Sequence, residues 1–332
     1  MAKVRCQAVG LLSGGLDSAL AAAVLKGQGI EVHAVFIEMP WGCGKSGRVR
    51  AVAEELGVPL KVILLGDDYL EILRNPRFGF GSAFNPCIDC HIYMIRQAAG
   101  YMRELGAEFV FTGEVLGQRP MSQRFQALQC VEKEAGIPGR LLRPLSAAFL
   151  EPTLPEQQGL VDRSRLPAIE GRSRKVQYDL ARRLGVTSFA QPGGGCLLTE
   201  KHFGARIKDV LSRGCEYIQA TAVLGLGRYF RLDERTFVIV GRDERENAKL
   251  QSYAVSGDVL FRSETFPGPV ALLRGDDSAE TLAQAAGLVQ YHSKLRGQPP
   301  AEVVCWRNGP VSERRTVQAA ELAYEQVNGW LI

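Results

Sequence analysis

No apolar run in the sequence approaches the roughly 20 residues that a membrane-spanning helix needs, which excludes a span of that kind. The first ten residues hold neither a signal-peptide apolar stretch nor a small-residue cleavage site, so a cytoplasmic protein is expected. There is no internal repeat and no low-complexity tract. A strong imbalance of charge is also missing, since 40 basic residues face 36 acidic ones. With 46% hydrophobic and 23% charged residues, the composition excludes a disordered or collagen-like chain. The 332 residues are enough for about two domains with buried cores. In a reducing compartment the 8 cysteines are expected to be free, catalytic or metal-bound rather than paired in structural disulfides.

The formal net charge of +4 is unevenly spread. Residues 161–190 contain Arg163, Arg165, Arg172, Arg174, Lys175, Arg182 and Arg183 against Asp162, Glu170 and Asp179, so this segment alone carries the whole excess. A basic stripe on a neutral background suits either an anionic polymer or a solvated helix face. As an RNA footprint it would act without touching nucleotide binding.

Residues 4–12 form an apolar run that ends at Ser13-Gly14-Gly15, a buried strand meeting a tight loop. The pattern predicts a helix over 17–28, a strand over 32–37, a helix over 47–56, a strand over 61–65, a helix over 90–105 and a strand over 108–111. Alternation of this kind predicts an α/β domain, a doubly wound parallel sheet with ligands bound beyond the carboxyl ends of its strands. Ser13, Ile37 and Thr112 fall at such ends. The pattern fades near Arg143, where prolines punctuate a looser stretch, and texture changes again near residue 222. A hairpin over 228–240, strands over 259–261 and 269–273 and a helix over 278–293 predict a smaller α+β domain. The expected division is 1–200, with the basic segment within 143–190, a linker over 201–222, and a second domain over 223–332.

Ser13-Gly14-Gly15-Leu16-Asp17-Ser18 lies between a strand and a helix, where free N–H groups and the helix dipole favour an anion. The glycines allow close approach of phosphate and the serines add donors. Asp17 is unfavourable beside phosphate unless a cation such as Mg²⁺ joins them. Gly42-Cys43-Gly44-Lys45-Ser46 imitates a Walker A loop, but Met39 stands where its first glycine is required. Cys87-Ile88-Asp89-Cys90 is compatible with a redox pair, half a zinc site or iron–sulfur ligands. Cys196 follows three glycines that leave its thiol approachable.

Taken in order along the chain, the Ser13–Ser18 loop, the strand ending Val35-Phe36-Ile37, Asn85-Pro86-Cys87 with Cys90, Thr112-Gly113-Glu114 and Pro192-Gly193-Gly194-Gly195-Cys196 resemble the tRNA thiouridine synthases of the PP-loop (N-type ATP pyrophosphatase) family. The resemblance covers residues 4–200. More faintly, residues 225–295 resemble the RNA-binding domain of NFACT proteins. The ferredoxin-like and THUMP domains of many 4-thiouridine synthases are not expected, since the loop begins at residue 13.

The resemblance implies ATP-dependent thiolation of a tRNA uridine, at ring position 2 or 4, through an adenylated uridine. Ser13, Gly14, Gly15, Asp17 and Ser18 would hold ATP and Mg²⁺, with Ile37 and Gly113 contacting the adenosine through their backbones. Cys87, Cys90 and Cys196 would hold a 4Fe-4S cluster, because three cysteines suit the cluster-dependent members rather than the persulfide ones. Asp17, Cys87 and Cys196 are the expected catalytic residues, and Arg163, Arg165, Arg172, Arg174 and Lys175 the expected tRNA contacts. Sulfide or a sulfur-donor protein is the other implied partner, for a monomer or a homodimer. Two alternatives remain open: a PP-loop enzyme acting on a small carboxylate or amide with zinc on its cysteines, and an RNA-binding adaptor with a regulatory nucleotide site.

Overall fold

The computed structural model describes residues 6–42, 45–190, 195–309 and 313–332. Cys43 and Gly44 of the Walker-like stretch, and residues 191–194 of the glycine-rich turn, lie outside them. The chain divides into two compact units, Met1–Cys196 and Leu197–Ile332.

The first unit runs β1 (Gln7–Leu11), α1 (Leu16–Lys26), β2 (Glu31–Glu38), α2 (Lys45–Leu56), β3 (Leu60–Leu64), α3 (Tyr69–Arg74), α4 (Cys87–Leu105), β4 (Phe109–Phe111), α5 (Phe125–Glu134), β5 (Leu141–Leu142), α6 (Leu154–Gln157) and α7 (Lys175–Leu184). Its five strands are all parallel, in the order β3-β2-β1-β4-β5. The doubly wound sheet expected from the alternating pattern is therefore present. The order reverses between β1 and β4, and at such a switch point a crevice opens beyond the carboxyl ends of the strands. The loop 12–15 leaves β1 there, and Thr112-Gly113 leaves β4. The central strands read as near-continuous apolar runs because both faces are covered. Ala8, Val9, Phe109, Val110 and Phe111 are all almost wholly buried. Gly10 sits under the Phe111 ring, which occupies the space an added Cβ would need.

The second unit contains α8 (Lys201–Ser212), β6 (Arg228–Arg231), β7 (Phe237–Val240), α9 (Glu244–Tyr253), β8 (Val259–Arg262), β9 (Ala271–Arg274), α10 (Ala279–Tyr291), β10 (Glu302–Arg307), β11 (Arg314–Gln318) and α11 (Tyr324–Trp330). Its sheet has the order β11-β10-β8-β9-β7-β6 with every pair antiparallel, and β6 and β7 form the expected hairpin. One sheet face, with Val238, Val240, Phe261, Leu273 and Val303, packs against Leu282, Ala285, Ala286 and Val289 of α10.

The stretch expected as a linker, 201–222, is instead structured and belongs to the second unit. Asp209 of α8 is buried and accepts hydrogen bonds from Arg213, Arg231 and the Tyr229 hydroxyl. Arg206 donates to the Leu224, Leu226 and Gly227 carbonyls. A buried carboxylate is stable only with such partners, and these partners bind α8 to β6. Among the described residues no helix is long and apolar enough to cross a membrane.

Candidate functional site

The loop between β1 and α1 is held by its own serines. Ser13 N–H donates to Ser18 Oγ at 3.2 Å, Ser18 Oγ donates to the Gly15 carbonyl at 3.0 Å, and the two hydroxyls lie 3.1 Å apart. Gly14 has φ +72°, a left-handed conformation that an L side chain adopts only with strain. Gly113 matters for proximity: a Cβ there would fall 2.5 Å from the Ser18 nitrogen. Its lack of a side chain lets the chain leaving β4 rest against the first turn of α1.

Ile37 is buried near the end of β2. The Val35 carbonyl accepts from Leu12 N–H, so Val35 faces β1, and Ile37, two residues on, presents its backbone polar groups in the same direction. There β1 has already turned into the loop, so these groups face the crevice.

Asp17 stands in the first turn of α1. Its Oδ2 accepts from Gln118 Nε2 at 2.7 Å and lies 3.8 Å from Arg174 Nη2. Gln118 in turn accepts from Gln177 Nε2 at 3.0 Å, and Gln177 is fully buried. The other carboxylate oxygen, Oδ1, is buried without a hydrogen-bond partner. A buried anionic oxygen without a partner is costly unless a cation completes it, so the residues fit Mg²⁺. Gln118 and Gln177 were not singled out from the sequence. The only signal was the polar end of the stretch after Thr112-Gly113-Glu114, which carries no recognisable spacing of its own.

Both Cys87 and Cys90 lie in the first turn of α4, which starts three residues before the expected position. Pro86 precedes that turn, and the Asp89 carboxylate accepts the Arg77 and Phe78 N–H groups, fixing the helix start. Asn85 Nδ2 donates to Cys87 Sγ at 3.1 Å. Cys90 feels both Cys196 and Cys87 electrostatically and has the buried Tyr69 hydroxyl beside it. Desolvation pushes the Cys90 thiol up to about 12, with the neighbouring Cys196 and Cys87 adding to the rise. Cys87 and Cys196 thus both lie within electrostatic reach of Cys90. Among the described residues no three His, Cys, Asp or Glu side chains are grouped tightly enough for one metal ion. Three gathered thiols with an N–H···S donor fit a four-iron cluster, whose sulfur ligands bind separate irons.

His91, next to Cys90, bonds Glu114 Oε1 at 2.7 Å. Glu114 Oε2 accepts from Thr112 Oγ1 at 3.0 Å and Arg143 Nε at 3.1 Å. Burial alone would raise the Glu114 carboxyl, but Arg143 and His91 outweigh it and hold the group at about 2. This network ties the cysteine-bearing turn of α4 to the loop after β4. Replacing Arg143 by Met should cost about 3–5 kcal/mol, because it leaves a buried carboxylate without its guanidinium. The depressed Glu114 contributes stability above pH 4.5 that is lost as pH falls towards 2. Thermal unfolding of wild type and variant between pH 2 and 7 measures both, and an Arg143→Met protein as stable as wild type at pH 7 would show the pair to be dispensable.

The basic stripe does not act as one surface. Arg163 is spent on Glu156 and the Ala147 and Leu150 carbonyls, and Arg165 on the Gly27 carbonyl. Arg174 turns to Asp17, so the expectation that the stripe is separate from the nucleotide loop is corrected for this residue. Arg172 and Lys175 are exposed.

Residues 3–149 match the family model described as "Thiamine biosynthesis protein (ThiI)", and residues 227–331 match the "NFACT protein RNA binding domain". The tRNA-specific 2-thiouridylase MnmA of Methylorubrum populi is 31% identical over 194 residues, 53% of this chain and 46% of that protein. MnmA of Syntrophotalea carbinolica is 32% identical over 114 residues, 31% of this chain and 32% of that one. The chain therefore spans about half the length of these curated relatives or less. Among solved structures, the U34-tRNA thiolase NcsA from Methanococcus maripaludis with its [4Fe-4S] cluster aligns at TM-score 0.36 and 17% identity, over 63% of this chain and 66% of that one. A 4-thiouridine synthetase–RNA complex with bound ATP aligns at TM-score 0.35 and 21% identity, over 55% of this chain and 52% of that one. The first unit is thus similar over residues 3–149 to the ThiI family model, and the second over residues 227–331 to the NFACT RNA-binding one.

Proposed function

We propose that the protein is an ATP-dependent tRNA sulfurtransferase that replaces a uridine carbonyl oxygen by sulfur. The observation that carries this reading is the gathering of Cys87, Cys90 and Cys196 in the same unit as the Ser13–Ser18 loop, with His91–Glu114 linking the cysteine-bearing turn to the β4 exit. A PP-loop alone suits any adenylating enzyme; three thiols in the same unit suit sulfur delivery.

Ser13, Gly14, Gly15 and Ser18 would orient the triphosphate at the α1 N-terminus, where backbone N–H groups and the helix dipole favour its charge. Asp17 Oδ1, backed by Gln118, would hold the Mg²⁺ that neutralises the leaving pyrophosphate. Backbone groups of Ile37 and Gly113 would hold the adenosine in the crevice. The uracil oxygen attacks the α-phosphate, pyrophosphate leaves, and the ring carbon becomes open to sulfur with AMP as leaving group. A 4Fe-4S cluster on Cys87, Cys90 and Cys196 would supply an iron with an open position that activates sulfide. Desolvation at Cys90 favours metal-bound thiolate over free thiolate there.

Purified protein, ATP and unmodified tRNA should release pyrophosphate only when all are present, with thiouridine appearing in the tRNA nucleosides by mass spectrometry. Whether the product is 2- or 4-thiouridine is read in the same spectrum. Pyrophosphate release without tRNA, stimulated instead by a small carboxylate or amide, would replace this reading with an adenylating enzyme on a small substrate.

The exposed Arg172 and Lys175 are the part of the stripe proposed to meet the tRNA backbone. Replacing both by Ala should flatten the slope of log affinity against log salt by up to about two units, at about 0.9 per lost phosphate contact on a duplex. ATP binding should not change. An unaltered slope would make this segment a solvated helix face.

A further inference from the structure

The sheet of the second unit has one covered face and one face that is covered only in part. Tyr229, Ile239, Leu272 and Leu260 alternate away from the α10 side and are buried. The same face continues onto β10 and β11, where Trp306 lies opposite Arg314 and Val304 opposite Arg262. There the cover stops. Trp306 and Val304 are half-buried, and Arg262 and Arg314 are exposed. An open cavity of about 580 Å³ lies over this patch, with Gln251 and Phe266 at its sides. Arg314 stacks its guanidinium 5.7 Å from the Trp306 ring centroid and touches Glu264 at 3.4 Å.

From this patch we infer a binding site for single-stranded RNA: one base stacks on Trp306, and Arg262 and Arg314 hold its flanking phosphates. The inference rests on the RNA-binding reading of the second unit and names the surface responsible. Charge selects the occupant, since two arginines face one carboxylate, which Arg314 already engages. An indole gives a π-face that any base can use, and guanidinium groups beside it match the phosphates on either side.

Fluorescence titration of the full-length protein with an unstructured oligouridylate of about a dozen nucleotides tests the site. Stacking should quench indole emission, and Trp306→Ala should weaken binding about ten- to a hundredfold. Trp306→Phe retains a ring, so affinity should stay within a fewfold of wild type while the quench disappears, although Trp41 and Trp330 remain. Arg314 is a surface residue whose loss leaves the core intact, and Arg314→Glu should also weaken binding and flatten its salt dependence. Quenching and affinity unchanged by Trp306→Phe, Trp306→Ala and Arg314→Glu would overturn the site while leaving RNA binding by the unit standing. If the wild-type protein binds neither the oligouridylate nor tRNA, the RNA-binding reading itself fails. Loss of a protein partner in Trp306→Ala, with RNA affinity unchanged, would assign the patch to protein docking and overturn the proposal.

Discussion

Replacing Asp17 by Asn should lower tRNA-dependent pyrophosphate release by at least about a hundredfold while leaving the fold intact. The two side chains are nearly isosteric, so the amide oxygen can keep the hydrogen bond from Gln118 Nε2 that Oδ2 now accepts. The amide NH₂ then falls where Oδ1 lies buried and without a partner. At that point a carboxylate oxygen attracts a cation and an amide N–H repels it. Fold retention is expected because Asp17 belongs to a loop–helix junction and its loss removes no core contact. Titration with Mn²⁺ in the presence of a non-hydrolysable ATP analogue gives a readout independent of turnover, since the variant should bind the ion more weakly. Normal ATP turnover by Asp17→Asn would remove the metal role of this residue and, with it, the proposed use of the loop.

Substitution of any one of Cys87, Cys90 and Cys196 by Ala should abolish thiouridine formation, a loss of at least about a hundredfold, and should release iron from anaerobically purified protein. Wild type should carry about four irons per chain, held by three thiolates with one iron left open. Pyrophosphate release should survive better than thiolation, because the cysteines are not part of the Ser13–Ser18 loop. Folding should survive too, since none of the three is among the core side chains. Cys130→Ala, on α5, is the control and should keep both iron and activity. Stoichiometric zinc with full activity would refute the cluster. Activity lost in only two of the three variants, with no iron present, would favour a persulfide route.

The first unit was legible from pattern because its helices and strands follow one rule throughout. Crossover helices cover both sheet faces, so β1, β2 and β4 are continuous apolar runs broken by loops at their carboxyl ends. The loop at Ser13–Ser18 is equally local: glycines, serines and an acid between strand and helix have few other uses. The edges were harder. β5 is two residues long, and β11, Arg-Arg-Thr-Val-Gln, is a polar edge strand whose charges protect it from unwanted pairing rather than mark it as a strand. In the segment 201–222 the apolar Phe203, Ile207, Val210 and Ile218 are buried beside Asp209, a carboxylate that becomes interior only through its partners.

Residue types within a short window were enough to establish the α/β class and to mark the Ser13–Ser18 turn and the three cysteines as candidates, because each depends on local backbone freedom or side-chain chemistry. Proximity between distant segments had to await the folded chain. The pairing of Gln118 and Gln177 behind Asp17 joins residues 59 to 101 positions apart. The fate of the basic stripe is of the same kind. Arg163 and Arg165 are charges in sequence but carbonyl caps in the fold, and Arg174 lies against Asp17. A guanidinium binds whichever carbonyl, carboxylate or phosphate is placed within its reach, and long-range packing alone determines which that is.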